Sequence, residues 1–230
     1  MFNPKDKELL TFDCYGTLID WESGILAALK PVLSSHGVKM DDERCLEDYA
    51  QFESAAESGA YLPYRQVLAE CLKGFGERYG FTPNPEELKR FSESVGDWEA
   101  FPDTSAALQE LKKHYKLAIL SNIDDDLFAP SNRRLGVQFD YIVTAQQVRS
   151  YKPAYGHFEA ILRRSGLPKE RILHVAQSLF HDHVPAKQLG FDTAWVNRRK
   201  YKIGTGATPF AEAQPDLEVP DLKSLADVLC

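Results

Sequence analysis

The chain is poor in the features that mark secreted, membrane-spanning or metal-clustered proteins. Its 230 residues include four cysteines, Cys14, Cys45, Cys71 and Cys230, with no C-x-x-C pair and no Cys/His spacing of a zinc site. No apolar run approaches the ~20 residues that a membrane-crossing helix needs, and nothing at the amino terminus reads as a secretory signal. A reduced, cytoplasmic setting is the expectation. Positive charge is also in deficit, with 27 Lys and Arg against 34 Asp and Glu and a formal net charge of -7. A nucleic acid or an anionic membrane would therefore have to be met by a local basic patch against an unfavourable overall field, and neither is an expected partner. The one such patch is Asn197-Arg198-Arg199-Lys200-Tyr201-Lys202, expected to form a solvated face or the rim of an anion site. Internal repeats and low-complexity segments are absent as well.

What is present suits a core-forming enzyme. Hydrophobic residues make up 43% of the chain and charged residues 27%, the balance of an ordinary globular protein. Short apolar segments each run into a polar cluster: Leu9 to Phe12, Lys116 to Leu120, Tyr141 to Thr144, Ile172 to Ala176 and Thr193 to Val196. Helical patterns lie between them. Such alternation predicts an α/β fold, a doubly wound, Rossmann-like parallel sheet with helices on both faces. Between Trp21 and Trp98 the texture turns helical and acidic. Asp41 to Ser58, Pro63 to Tyr79 and Pro85 to Val95 read as three amphipathic helices, with Thr82-Pro83-Asn84-Pro85 as a break. The expected division is a core of residues 1–17 and 99–230 with an all-helical insert over 18–98. The tail from Pro215, ending in a short amphipathic helix, is expected to pack back on the core.

In an open parallel sheet, ligands bind beyond the carboxyl ends of the strands, where loops and helix amino termini converge. Each polar cluster falls at such an end. Asp13 follows a strand and precedes Tyr15-Gly16-Thr17, so its carboxylate projects into a tight turn, where it serves as a cap or as a nucleophile forming an ester. Ser121 and Asn122 can donate to an anion or cap the acidic run Asp124-Asp125-Asp126. Lys152 precedes Pro153, which disfavours helical geometry at the lysine; a fixed ammonium there would hold Asp13 ionised. Asp182, in Gln177-Ser178-Leu179-Phe180-His181-Asp182-His183, is the best second carboxylate, able to activate water or bind a metal. Its neighbours His181 and His183 project to opposite sides of a strand or well apart on a helix, which disfavours a shared metal.

The order Asp13-Cys14-Tyr15-Gly16-Thr17, Ser121-Asn122, Lys152-Pro153 and the segment ending in Asp182 resembles the four motifs of the haloacid dehalogenase-like hydrolase superfamily, with 18–98 in the place of its helical cap. Phosphatases of that superfamily carry a proton-transferring aspartate two residues after the nucleophile. Tyr15 stands there, and a phenol with an unperturbed pKa near ~10 is a poor substitute. Those phosphatases also usually carry Gly-Asp where Ala176-Gln177 stands, and Gln177 removes one anionic oxygen from a Mg²⁺ shell. Halide leaves without a proton, so both departures favour carbon–halogen cleavage without a metal, and the Asp-x-Tyr-Gly-Thr form resembles the 2-haloacid dehalogenase branch.

That resemblance implies hydrolysis of short 2-haloacids to 2-hydroxy acids with no cofactor. Asp13 attacks the carbon with inversion, and water activated near Asp182 with help from Lys152 then attacks the Asp13 carbonyl. Thr17, Ser121, Asn122 and Ser178 position carboxylates or water, while Tyr15 and Gln177 contact the substrate. The branch also uses a cap arginine for halide or substrate, for which Arg44 and Arg65 are candidates, although surface ion pairs explain such arginines equally. The fourth motif departs too, being longer by one residue than the branch's Ser-Ser-Asn form. The alternatives are a phosphatase holding Mg²⁺ through Asp13 and Asp182, and a non-catalytic carboxylate-binding protein. The expected partner is a small carboxylate, and an exposed apolar face of cap or core would support a homodimer.

Overall fold

In the computed structural model, which describes residues 3–230, the five apolar segments become parallel strands of one sheet. They are β1 (Leu9–Phe12), β2 (Lys116–Ser121), β3 (Tyr141–Thr144), β4 (Ile172–Ala176) and β5 (Asp192–Val196). A strand not expected from the sequence, β6 (Leu217–Val219), pairs in parallel with β5 at the edge. With three residues it is too short to show an alternating pattern. The spatial order is β3-β2-β1-β4-β5-β6, so the chain reverses its winding at β1 and β4, and a crevice forms beyond their carboxyl ends.

Both faces of the sheet are buried, and alternation along the strands shows why. Leu10 and Phe12 pack in one apolar cluster with Leu117, Ile119, Leu173 and Val175. Their neighbour Leu9 packs in a second with Ala118, Leu120 and Ile172. Successive side chains point to opposite faces, so a strand covered on both sides must be apolar throughout. After the insert, the helices of the core are α5 (Thr104–Leu111), α6 (Asp125–Leu135), α7 (Ala145–Val148), α8 (Gly156–Ser165), α9 (Val184–Leu189) and α10 (Leu222–Leu229).

The insert between β1 and α5 holds α1 (Trp21–Ser35), α2 (Asp42–Glu57), α3 (Tyr64–Tyr79) and α4 (Pro85–Glu93). The last three match the expected amphipathic segments; α1 is an addition, because Gly24 and Pro31 look like helix breakers. In place, Asp20 caps its amino terminus by accepting from the Ser23 backbone N–H at 3.3 Å, and Pro31 lies on the exposed face. Gly24 is there for space, since a Cβ at that position would lie 2.3 Å from the Trp98 ring. A capping box closes the start of α4, with Asn84 Oδ1 accepting from Glu87 N and Glu87 Oε2 accepting from Asn84 N.

The basic run after β5 is neither a solvated face nor the rim of an anion site at its two arginines. Arg198 donates to Asp103 Oδ1 at 2.8 Å and to the Thr17 carbonyl at 3.0 Å. Arg199 donates to Glu22 and Glu43 of the insert, each at 2.6 Å, with its side chain 9% exposed. The physical reason is proximity: β5 delivers this loop beside the turn after β1, where acids of α1 and α2 need a counter-charge.

Candidate active site

Asp13 lies one residue past β1, and its N–H donates to the Val175 carbonyl at 3.0 Å, extending the pairing with β4. The chain then turns sharply. Leu18 and Ile19 both donate to the Cys14 carbonyl, and Gly16 has φ +93°, with Trp21 Nε1 2.8 Å from where a Cβ would stand. Only glycine meets both demands. The turn brings Thr17 back so that its hydroxyl donates to Asp13 Oδ2 at 2.7 Å, while the hydroxyl oxygen accepts from Gln177 N at 2.9 Å.

Lys152 reaches the other oxygen. Its buried Nζ donates to Asp13 Oδ1 at 2.9 Å, Asp182 Oδ1 at 2.6 Å and the Leu120 carbonyl at 2.9 Å, using the three protons of an ammonium. Asn122 fixes the lysine's backbone from both sides, its Oδ1 accepting from Lys152 N at 2.7 Å and its Nδ2 donating to the Lys152 carbonyl at 3.1 Å. Asp182 is further held by His174, whose Nε2 lies 2.9 Å from Asp182 Oδ1 and whose Nδ1 lies 2.9 Å from Thr11 Oγ1. A carboxylate can only accept, so Nε2 carries a proton and donates to Asp182.

One residue more than expected separates Ser178 from the acid, and the backbone absorbs it as a π-helical turn over Leu179–His183. The N–H groups of Asp182 and His183 both approach the Ser178 carbonyl at 3.3 Å. The widened turn carries Asp182 back under Lys152, a use of π geometry common at functional sites. Within it Ser178 Oγ accepts from His181 N at 2.9 Å, and His183 Nε2–H donates to the Ala176 carbonyl at 2.9 Å. Burial lowers both histidines to about 4, so each is neutral near pH 7.

Charge at the centre follows from burial and pairing. Burial pushes the Asp13 carboxyl up and Lys152 opposes it, with the net direction upward. Burial also acts to raise Asp182, but Lys152 and His174 outweigh it and hold that carboxyl well below the usual range. The two acids raise the ammonium of Lys152 against its own desolvation, so the lysine is a fixed cation.

The cavity above this centre has a volume of about 30 Å³ and is lined by Asp13, Tyr15, Ser121, Asn122, Lys152, Ser178, His181 and Asp182 from the core. Trp21, Glu53, Glu57 and Tyr64 face them from the insert. Three buried polar atoms in its walls, Ser121 Oγ, Asp182 Oδ2 and Glu57 Oε1, have no protein hydrogen-bond partner. Such atoms in a lined cavity mark where a ligand or water completes the bonding. Tyr15 donates to or accepts from Ser131 Oγ at 3.1 Å, and burial pushes its phenol up.

Asp13, Tyr15, Thr17, Ser121, Asn122, Lys152, Ser178 and Asp182 thus converge, Thr17 from just behind the cavity wall. Gln177, Arg44 and Arg65 do not. Gln177 turns its side chain toward Gly16 rather than the cavity, and its backbone carbonyl accepts from Trp195 Nε1 at 2.8 Å. Arg44 pairs with Asp48 at 2.9 Å, because that wholly buried carboxylate draws in Arg44, Arg78 and the Tyr79 hydroxyl together. Arg65 reaches across the seam to Asp126 on α6 at 2.6 Å. His174, Glu53 and Glu57 are the site residues that sequence reasoning missed. A histidine in the middle of the apolar strand Ile172–Ala176 was the available signal for the first; the two glutamates read as an ordinary acidic helix face.

A donor set for Mg²⁺ fits poorly. Lys152 already supplies the cation between Asp13 and Asp182, Thr17 occupies Asp13 Oδ2, and the third position is the averted, neutral Gln177. Among the described residues, the one cluster of three candidate metal ligands is Glu110, His114 and Cys230, none of which lines the cavity.

Comparison with known proteins identifies a family and a shared fold. Residues 10–196 match the family model described as haloacid dehalogenase-like hydrolase. The (S)-2-haloacid dehalogenase H-109 of Pseudomonas putida is 28% identical over 96% of this chain and 97% of its own. Among solved structures, the L-2-haloacid dehalogenase PA0810 superposes with a TM-score of 0.81 at 25% identity, covering 97% of this chain and 100% of that one. An L-2-haloacid dehalogenase from Xanthobacter autotrophicus, with chloropropionic acid covalently bound, gives a TM-score of 0.80 at 23% identity over 97% and 98%; that likeness is one of fold.

Proposed function

Because the chain belongs to the haloacid dehalogenase-like hydrolases, and because its cavity pairs a buried nucleophile with a fixed lysine, we propose that it hydrolyses short 2-haloacids to 2-hydroxy acids without a metal. The observation that carries this reading is Tyr15. The position two residues beyond the nucleophile holds a phenol tied to Ser131, with its proton bound more tightly by burial. It can neither donate nor take a proton near neutral pH, so the site suits a leaving group that needs none. The similarity to (S)-2-haloacid dehalogenases over nearly the whole chain supports the same substrate class.

In the first step a carboxylate oxygen of Asp13 attacks the carbon bearing the halogen from the face opposite it. A C–O bond forms, the C–X pair leaves with the halide, and the carbon inverts. Lys152 and Thr17 fix the direction of the carboxylate, converting an encounter into an aligned displacement. Ser121 Oγ, buried and without a protein partner, is placed to bind the substrate carboxylate. In the second step water attacks the carbonyl carbon of the Asp13 ester, the acyl C–O bond breaks, the Asp13 carboxylate re-forms, and the 2-hydroxy acid leaves with one proton of the water while the other passes to solvent. Asp182 Oδ2, the other free acceptor, orients that water. With its own carboxyl held below the usual range, Asp182 is a weak base and acts mainly by position, while Lys152 stabilises the negative charge that develops on the ester oxygen. The inserted helices α1 to α4 serve as the cap over this chemistry, within the division 1–17 and 99–230 against 18–98.

The test is halide release from chloroacetate and both enantiomers of 2-chloropropionate with EDTA present, beside phosphate release under Mg²⁺ from a panel of phosphate esters. Halide release untouched by EDTA is expected from the natural chain and none from Asp13→Asn, since an amide cannot form the ester. Phosphate release that EDTA abolishes, without halide, would replace this reading with the Mg²⁺-dependent phosphatase. Carboxylate binding without turnover would point to a non-catalytic protein.

A further inference from the structure

A displacement from the rear face sends the leaving group away from Asp13 and toward the insert. The insert's polar groups at that end of the cavity are few. Glu53 Oε1 is taken by the Tyr64 hydroxyl at 2.5 Å and the Tyr49 hydroxyl at 2.8 Å, so both Glu53 and Tyr64 are occupied. Trp21 turns its ring nitrogen toward Gly16. Glu57 remains: its Oε2 lies 3.4 Å from Asn122 Nδ2, and its Oε1 is buried with no hydrogen-bond partner. Neither Arg44 nor Arg65 reaches this space, and Lys152, committed to two aspartates, is the one lysine or arginine among the described residues that line it, His181 being neutral.

We propose that Glu57, as the neutral carboxylic acid, donates a hydrogen bond to the departing halide and so supplies what a cationic side chain would otherwise provide. The idea rests on the dehalogenase reading above. The electron pair of the C–X bond leaves with the halogen, the new C–O bond is made by Asp13, and the Glu57 proton stays on Glu57 throughout. A carboxylate could not occupy this place, because it would accept rather than donate and would repel both the substrate and the halide. Burial, with Glu53 adjacent, raises the Glu57 carboxyl well above its ordinary value, which keeps the proton in place. Asn122 Nδ2, beside Glu57 Oε2, aligns the acid from the core side.

The experiment measures kcat for chloroacetate and bromoacetate in the full-length natural chain, Glu57→Ala and Glu57→Gln. Loss of one hydrogen bond to a charged acceptor is worth about 10- to 100-fold, so Glu57→Ala is expected to lose about that much on chloroacetate. It should lose less on bromoacetate, because bromide is the weaker acceptor. Glu57→Gln keeps an N–H donor of the same length and should retain most of both rates. Comparing two substrates on the same protein separates a lost donor from a damaged fold. Equal losses on the two substrates, or a glutamine variant as impaired as the alanine one, would overturn the assignment while leaving the dehalogenase reading intact. No halide from the natural chain would overturn both.

Discussion

Lys152 settles the charge of the site, since one ammonium meets two carboxylates and a carbonyl. The two acids are driven apart by their surroundings, Asp13 upward through burial and Asp182 downward through Lys152 and His174. Such a split assigns roles to a pair of similar groups. In the proposed mechanism Asp13 attacks only when ionised, and its raised pKa places the loss of activity on the acid side: kcat/KM is expected to fall as pH drops through a value above the usual carboxylate range. A pH–rate profile checks the sign; activity that rises on acidification would contradict it. The histidines of the turn, held neutral at about 4, should add no break near pH 7. His174 acts through Asp182 rather than on substrate. Replacing it with leucine removes a buried donor to a charged acceptor, for which about 1.5–3 kcal/mol is typical. Expected results for His174→Leu are a kcat lower by roughly 10- to 100-fold, KM little changed, and a lower melting temperature, measured by steady-state kinetics and calorimetry.

At the scale of elements, the strands were legible because a doubly covered sheet needs uninterrupted apolar segments, and the polar cluster after each one marks a carboxyl end. Asp13 and Asn122, each one residue past a strand, and Ser121, which closes β2, were legible for the same reason; Lys152 lies beyond α7 and Asp182 within the π turn, and their place in the motif order made them legible. What stayed hidden depends on packing. α1 looks broken at Gly24 and Pro31, yet Gly24 is required by the Trp98 ring and Pro31 merely faces solvent. Arg44 and Arg65 looked like ligand-binding residues because nothing in a helical pattern announces that the buried Asp48 or the distant Asp126 will claim them. The extra residue before Asp182 looked like a departure, and it became a π turn that restores the acid to the site. Gly24→Ala gives the direct test at this scale. Its Cβ would stand 2.3 Å from the indole, and overpacking of this kind costs about 1–3 kcal/mol. Urea denaturation should show that loss; a neutral substitution would mean that α1 and Trp98 are not packed as described.

For the whole molecule, insert and sheet are joined by charge as well as by apolar packing. Arg199 of the loop after β5 clamps Glu22 on α1 and Glu43 on α2, and Arg65 on α3 pairs with Asp126 on α6. Arg199→Ala would leave the buried Glu22 with Lys202 alone at 3.1 Å, a loss of about 3 kcal/mol by comparison with other broken buried pairs. It should also raise KM, because the walls of the cavity come from both parts. Thermal melting and kinetics on that variant check both effects, and an unchanged KM would separate insert anchoring from substrate binding. The most direct measurement of the chemistry itself uses single-turnover conditions, enzyme in excess over 2-chloropropionate, in water enriched in heavy oxygen with EDTA present. If Asp13 forms the ester and water attacks its carbonyl carbon, the heavy oxygen enters the peptide that carries Asp13, and the 2-hydroxypropionate is released unlabelled. Label found in the product, with none in that peptide, would mean that water attacks the substrate directly and that Asp13 is not the nucleophile.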